Sequence, residues 1–191
     1  MQRRNMMVVA ASAAVAVTLM AGCTTNRGAS ATPAERKAGI ETGIDGTLAT
    51  LYSSVSGSKE MASKARGILV FPKVFAAGLG VGGEYGEGAL QVGGKTVDYY
   101  RTTSVSFGFQ AGAQSKALIF MFMTQDALDR FRNSNGWTAG ADASVAVVRM
   151  GANGTVDTTS VDQAVGAFAL TNAGLMAAAT INGSKVTKLE F

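Results

Sequence analysis

The chain has 191 residues, with 17 lysines and arginines against 13 acidic residues, a net charge of +4, and no histidine. Without histidine, catalytic triads based on histidine, imidazole metal sites and the most common general base are excluded. The single cysteine excludes an internal disulfide, so packing alone must stabilise the one domain that this length predicts.

The first 22 residues have the layout of a secretory signal peptide. Arg3 and Arg4 precede an apolar run from Met6 to Met20, and small residues follow that run. The run is too short for a stable membrane span. We therefore predict that residues 1–22 are a signal peptide and are removed.

The junction LMAGC, Leu19–Cys23, resembles the bacterial lipobox, in which the cysteine becomes the acylated N-terminus of the mature protein. An ordinary signal peptide followed by a coincidental cysteine is the alternative. Two or three acyl chains would anchor the protein stably, because each buried methylene adds ~0.8 kcal/mol. The resemblance implies lipidation at Cys23 and export to the cell envelope. Thr24, in place of Asp, is compatible with an outer membrane, facing the periplasm or the surface.

Cleavage at this junction changes the charge of the chain. It leaves 169 residues and removes two arginines and no acid, so the mature chain carries 15 basic and 13 acidic residues. This balance gives no support to a nucleic-acid partner. Residues 23–32 are small and polar and are predicted to form a flexible lipidated tether. Residues 33–191 are then the single domain.

The domain is predicted to begin with a helix. Thr32 is a candidate N-cap and Pro33 fits the first helical position. Apolar residues then recur at a helical spacing of three to four: Ile40, Ile44, Leu48, Leu51, Tyr52 and Val55. Because Gly39, Gly43 and Gly46 weaken this helix, we expect it to depend on docking.

Two shorter helices are also predicted. Ser58 begins the first, SKEMASKAR. Thr124 caps the second, with Leu128 and Phe131 facing inward and Gly136 as the residue that ends it.

Most of the remaining sequence predicts antiparallel strands. One strand, GILVF, ends at Pro72, and KALIFMFM, which is apolar at successive positions, indicates a central strand covered on both faces. Hairpin turns are predicted at three pairs of residues: Gly93-Gly94, Asn153-Gly154 and Asn182-Gly183.

The stretch GLGVGGEYGEG contains the motif G-x-G-x-x-G at Gly78, Gly80 and Gly83. A dinucleotide site needs a helix that opens within the motif, and Gly86 and Gly88 oppose a helix. Alternate positions instead show the period of a strand with one almost bare face. We predict that the glycines allow close packing and do not bind a phosphate. Either a helix, a strand or an acyl chain passes closely over the bare face of the strand, or a barrel-like sheet bends tightly there.

Candidate catalytic residues are few. Glu84 and Glu87 could form a carboxylate pair, but a spacing of three puts them on opposite faces of a strand. Glu84 is interpreted as solvated or paired with a cation. Asp126 and Asp129 are interpreted as a solvated helix face, and Trp137 as a core or rim anchor, with a sugar platform as the alternative. No catalytic residue, metal site or cofactor is predicted, and the protein is not expected to be an enzyme.

Four segments, in order, resemble the SYLF domain family: ARGILVFPKVFAAGLGVGGEYGEGAL, FGFQAGAQ, ALIFMFMTQDALDRF and GADASVAV. The resemblance covers about residues 60–190. This family is a lipid-binding module found in bacterial lipoproteins and in eukaryotic membrane-traffic proteins. It implies an α+β fold, a curved antiparallel sheet, open or barrel-like, with a few packed helices. It also implies binding of phosphoinositides or acidic lipids through basic residues and an amphipathic N-terminal segment.

The resemblance implies lipid-binding residues as well. Lys64, Arg66 and Lys73 flank GILVF, in the region that the family associates with its basic lipid-contacting segment; scattered surface charge is the alternative. The expected function is that of a membrane-anchored envelope lipoprotein with a non-catalytic phospholipid-binding module. A structural or adhesive envelope lipoprotein that binds protein or cell-wall material is the other hypothesis. Actin, reported for fungal members, is not expected as a partner, because an exported protein does not meet cytoplasmic actin.

Overall fold

The computed structural model describes residues 31–142, 145–147, 163–171, 174–175 and 183–191. The predictions for residues 1–30, among them Cys23, for the turn at residues 153–154 and for residue 182 lie outside the described residues. Pro33–Phe191 forms one compact unit.

A long hairpin organises the sheet. β1 (Gly67–Val92) and β2 (Lys95–Phe122) pair in antiparallel register along nearly their whole length. Gly93 and Gly94 form the turn with φ angles of +59° and +77°, which favour glycine. The hairpin turn predicted at these two glycines is therefore confirmed.

Within the described residues, five short strands complete a seven-stranded sheet: β3 (Trp137–Thr138), β4 (Val145–Val147), β5 (Val165–Thr171), β6 (Gly174–Leu175) and β7 (Lys185–Lys188). β2 pairs with β7 near its start and with β5 at its end. β3 extends β7, and β6 extends β5. All these pairs are antiparallel, whereas β4 runs parallel to β5. The α+β class with a curved sheet is confirmed, and the parallel pair was not predicted.

The helices lie where the sequence predicts them. α1 spans Pro33–Ser54, α2 spans Ser58–Lys64 and α3 spans Gln125–Asn133. The Thr124 side chain accepts a hydrogen bond of 3.2 Å from the Ala127 N–H, which confirms the predicted cap. α3 ends at Asn133, three residues before Gly136, where the sequence predicted its end.

The prediction that a strand ends at Pro72 is wrong. The register shifts between Phe71 and Val74, so Pro72 lies in a bulge and β1 continues to Val92. A bulge tolerates proline, which has no N–H to donate to a ladder. Pro72 also marks where α1 docks, because a Cβ at Gly43 would lie 2.8 Å from the Pro72 Cβ.

Each face of the sheet carries its own core. On the inner face, Leu118, Phe120 and Phe122 pack with Phe131 of α3 and with Trp137. On the outer face, two β2 residues pack with three residues of α1: Ile119 and Met121 with Ile40, Ile44 and Leu51. The prediction that KALIFMFM is a central strand covered on both faces is confirmed.

β1 folds back on itself, and two glycines allow it. A Cβ at Gly88 would lie 2.1 Å from the Val70 carbonyl oxygen, and one at Gly86 would lie 2.7 Å from Val74 Cγ2. β1 turns in the stretch between Val74 and Gly86, and within this stretch its register with β2 shifts between Gly78 and Gly80. Packing is therefore confirmed as the role of Gly86 and Gly88, but not of Gly83, where a Cβ would meet nothing within 4 Å. The element that passes closely is β1 itself, which matches the predicted tight bend of a barrel-like sheet.

Candidate functional site

The three predicted lipid-binding residues do not line the same groove in the part of the chain that the structure describes. Lys64 ends α2 and pairs with Glu60 at 2.7 Å, while Arg66 precedes β1 and is exposed. Lys73 follows Pro72 inside β1. At about 3.3 Å per strand residue, the seven residues from Arg66 to Lys73 span roughly 20 Å. Lys73 lines a surface groove, and neither Lys64 nor Arg66 does so there.

This groove, which we call the α1 groove, has a volume of about 520 Å³ and lies between α1, the bulge of β1, β2 and the end of β5. Apolar contributions come from Pro72, Ala117 and Leu170. Hydroxyl groups and cations complete the lining: Thr47, Thr50, Ser115, Thr171, Lys73 and Lys116. No acidic residue is among the described residues that line it.

Glycines on α1 form the helical wall of the α1 groove. Gly39, Gly43 and Gly46 recur at a spacing of four and three, so they share one side of the helix. Gly43 touches Pro72, whereas a Cβ at Gly39 or Gly46 would meet nothing within 4 Å. The sequence predicted only that these glycines weaken the helix. In the structure they let α1 approach β1 and leave open space beside that contact.

The chemistry of the α1 groove suits an anionic group. Lys73 is exposed, and its Nζ lies 4.9 Å from the centre of the Phe75 ring. An ammonium group offers a compact positive charge with three donors, and hydroxyl groups can donate to phosphate oxygens. The apolar residues of the groove can contact carbon atoms next to a phosphate.

Lys116 has a different role, because it is paired inside the fold. Its Nζ lies 2.9 Å from Glu84 Oε1, and both side chains are 7% exposed. Ser104 Oγ donates a second hydrogen bond of 2.8 Å to Glu84. Of the two interpretations of Glu84, pairing with a cation is confirmed. The ion pair links the second half of β1 to the end of β2, and it leaves Lys73 as the exposed cation of the groove.

Glu87 points to the other face, as the spacing from Glu84 predicted. It forms an ion pair with Arg36 in the first turns of α1 and accepts a hydrogen bond of 2.6 Å from the Tyr85 hydroxyl. Burial alone would raise the pKa of Glu87, but the hydrogen bonds from Tyr85 and Arg36 outweigh it and lower that pKa. Glu84 and Glu87 therefore cannot act as one carboxylate pair.

A second groove, of about 490 Å³, lies between the C-terminal half of α1, α2 and the hairpin turn. Its lining is largely apolar, with Leu48, Tyr52 and Ile68, and Lys59 contributes a cation. Sequence reasoning missed this groove. Leu48 and Tyr52 were assigned to the apolar stripe of α1, and nothing in their spacing distinguishes a covered position from a half-covered one.

Trp137 belongs to the core. It is 3% exposed and makes edge contacts with Phe120 and Phe131, whose ring centres lie 5.4 and 5.6 Å away. Its ring cannot stack on a sugar from this position. The prediction of a core anchor is confirmed.

Comparison with known proteins adds one match. Residues 103–190, which run from the middle of β2 through β7, match the family model described as "Ysc84: Las17-binding protein actin regulator". No curated protein matches the chain. Across the part of the chain that the structure describes, no helix combines the length and apolar character needed to span a membrane.

Proposed function

Because residues 103–190 belong to the Ysc84 (SYLF) domain family, we propose that this protein is a non-catalytic envelope lipoprotein whose folded domain binds anionic phospholipid. Membership of this family is consistent with a lipid-binding module. The α1 groove supports the proposal, because it combines an exposed lysine, hydroxyl groups and apolar contacts without an acidic lining residue among those described.

In this proposal the phosphate of a lipid headgroup lies next to Lys73. The Thr47 and Ser115 hydroxyls donate to its oxygens, and the carbon atoms of the lipid contact Pro72 and Leu170. Each basic side chain near an anionic membrane surface contributes about 1 kcal/mol of binding. Reversing the charge of Lys73 should therefore cost about 2 kcal/mol of membrane affinity.

Vesicle co-sedimentation tests this site. Residues 24–191 contain the whole compact unit and no cysteine that could be acylated. With vesicles of phosphatidylglycerol and phosphatidylcholine, we expect Lys73→Glu to weaken binding at least tenfold. Arg130→Glu is the matched control, because Arg130 is an exposed cation on α3, away from the groove. Equal weakening in both variants would indicate unspecific charge attraction.

The two remaining predicted residues are tested separately. A variant with Lys64→Glu and Arg66→Glu reverses two exposed charges outside the α1 groove. If it weakens binding more than Lys73→Glu does, the basic segment before β1 is the lipid site and the groove is not. If the unaltered domain never binds anionic vesicles, the phospholipid proposal fails and the structural or adhesive lipoprotein takes its place.

The membrane anchor is the second part of the proposal. We propose that Cys23 is acylated and that residues 23–32 tether the domain to the outer membrane. Cys23→Ser should abolish incorporation of labelled palmitate. Labelling that persists in this variant would contradict the proposal.

Actin is not part of the proposed function. The name of the family model refers to Las17 binding and actin regulation. A protein exported to the envelope does not meet cytoplasmic actin in its own cell, so we propose phospholipid and not actin as the partner of this domain.

A further inference from the structure

Three large apolar side chains are exposed on the outer face of the sheet, near its bend. The exposed fraction is 51% for Phe75, 45% for Tyr85 and 66% for Val105. Most other large apolar side chains of the described strands are buried in one of the two core clusters. We call these three residues the apolar patch.

The fold-back of β1 places the two strand segments that carry Phe75 and Tyr85 next to each other. A Cβ at Gly86 would touch the Lys73 carbonyl oxygen at 2.9 Å and the Val74 side chain at 2.7 Å. Phe75 follows Val74 and Tyr85 precedes Gly86, so each is one residue from this contact. Val105 pairs with Gly83 in the ladder, which makes it a diagonal neighbour of Tyr85 on the same face.

The patch adjoins the α1 groove. Lys73 lines that groove, and its ammonium group lies 4.9 Å from the centre of the Phe75 ring. On the other side, the Tyr85 hydroxyl donates to Glu87, whose charge Arg36 offsets. The patch is therefore apolar at its centre and bordered by one exposed cation and one neutralised carboxylate. This arrangement complements an anionic lipid surface.

We propose that the apolar patch inserts into the headgroup region of an anionic phospholipid bilayer while the α1 groove holds a headgroup. Tyrosine and lysine suit this boundary, because each has an apolar body and a polar end. Phe75 and Val105 supply the buried apolar area that strengthens interfacial binding. The inference rests on the proposed phospholipid-binding function and specifies the surface that carries it out.

Single-cysteine labelling tests the insertion. Residues 24–191 contain no cysteine, so Val105→Cys can carry one environment-sensitive fluorophore. Val97→Cys is the matched control: Val97 is also an exposed valine of β2, 42% exposed, and lies eight residues away, roughly 25 Å along the strand. With phosphatidylglycerol vesicles, we expect a blue shift and quenching by spin-labelled lipid at residue 105 and not at residue 97.

Charge substitutions provide the second measurement. Val105→Asp should weaken vesicle binding about tenfold, and Val97→Asp should change it less than twofold. Both side chains are exposed, so both variants should keep the circular dichroism spectrum of the unaltered domain.

The outcomes separate the two proposals. If the unaltered domain binds anionic vesicles and the two sites behave alike, the insertion is wrong and the phospholipid function stands. If the unaltered domain does not bind, both are wrong. If the emission of the fluorophore at residue 105 shifts with protein concentration in the absence of vesicles, the patch is an interface between two copies of the chain. The proposal that it inserts into a bilayer is then also wrong.

Discussion

The two faces of the sheet differ in how they are packed. The inner face is filled by large rings: Phe120 and Phe131 each make an edge contact with Trp137, and all three are almost inaccessible to solvent. The outer face is covered by α1, which approaches through glycine at Gly43 and leaves two grooves and the apolar patch beside it. The comparison indicates that the inner face is tightly filled, whereas the outer face leaves open grooves and exposed apolar side chains, the surfaces for which we propose lipid binding.

Breaking the buried ion pair between Lys116 and Glu84, on the inner face, should lower the free energy of unfolding more than any other substitution proposed here. Lys116→Met leaves Glu84 buried without its cation, so we expect the free energy of unfolding to fall by about 3–5 kcal/mol. Urea denaturation measures this loss. The double variant Lys116→Met with Glu84→Gln should recover most of it, because the amide can still accept from Ser104. A double variant no more stable than the single one would contradict this account.

The fold-back of β1 should be the next most sensitive feature. Gly88→Ala places a methyl group against the Val70 carbonyl, which belongs to backbone and cannot turn away. We expect a loss of about 3 kcal/mol, since overpacking of this kind distorts the backbone. Gly83→Ala is the matched control, because a Cβ there meets nothing within 4 Å. Similar losses of stability in both variants would contradict close packing between the two halves of β1 at Gly88.

On the outer face, alanine substitutions at two glycines of α1 should change the free energy of unfolding in opposite directions. Gly43→Ala pushes α1 away from Pro72 and should lower the free energy of unfolding by about 1–2 kcal/mol. Gly39→Ala meets open space and should raise it by about 0.5–1 kcal/mol, because alanine favours the helix. Thermal or urea denaturation distinguishes the signs. The same sign in both variants would contradict the close docking of α1 at Gly43.

The smallest effect is expected where α1 meets the sheet through Glu87. The pKa of Glu87 is lowered in the folded protein from its ordinary value of 4.5, so its contribution is present above that pH and is lost as the pH falls through the lowered pKa. At neutral pH, Glu87→Gln should cost about 0.5–1 kcal/mol, as for a partly exposed ion pair. The difference between the variant and the unaltered chain should disappear in acid, as urea denaturation at several pH values would show. A difference that does not change with pH would contradict it.

Local signals in the sequence predicted the elements well. The starts of α1 at Pro33 and of α3 after the Thr124 cap depend on proline and capping chemistry, which act within a few residues. The turn at Gly93-Gly94 depends on positive φ angles, which also act locally. The pattern of KALIFMFM was enough to predict a strand covered on both faces, because burial on each side requires apolar residues at successive positions.

The lipid-binding residues stay a prediction. The sequence grouped Lys73 with Lys64 and Arg66, since all three are close in the chain, whereas of the three only Lys73 lines the α1 groove. A strand extends its residues by about 3.3 Å each, and this separates the three in space. Glu84 was interpreted as solvated or paired with a cation, but Lys116 is 32 positions away and could not be named from spacing.

By itself, the sequence determined the α+β class, the positions of the helices and the strand character of the glycine motif, because these depend on backbone propensities and on periods of two and 3.6 residues. The tertiary structure decided that β1 continues through Pro72, that its own first half covers Gly86 and Gly88, and that Glu84 meets Lys116. It also decided which apolar residues stay exposed. These outcomes depend on the position at which a long curved hairpin folds back, and no local pattern in the chain encodes that position.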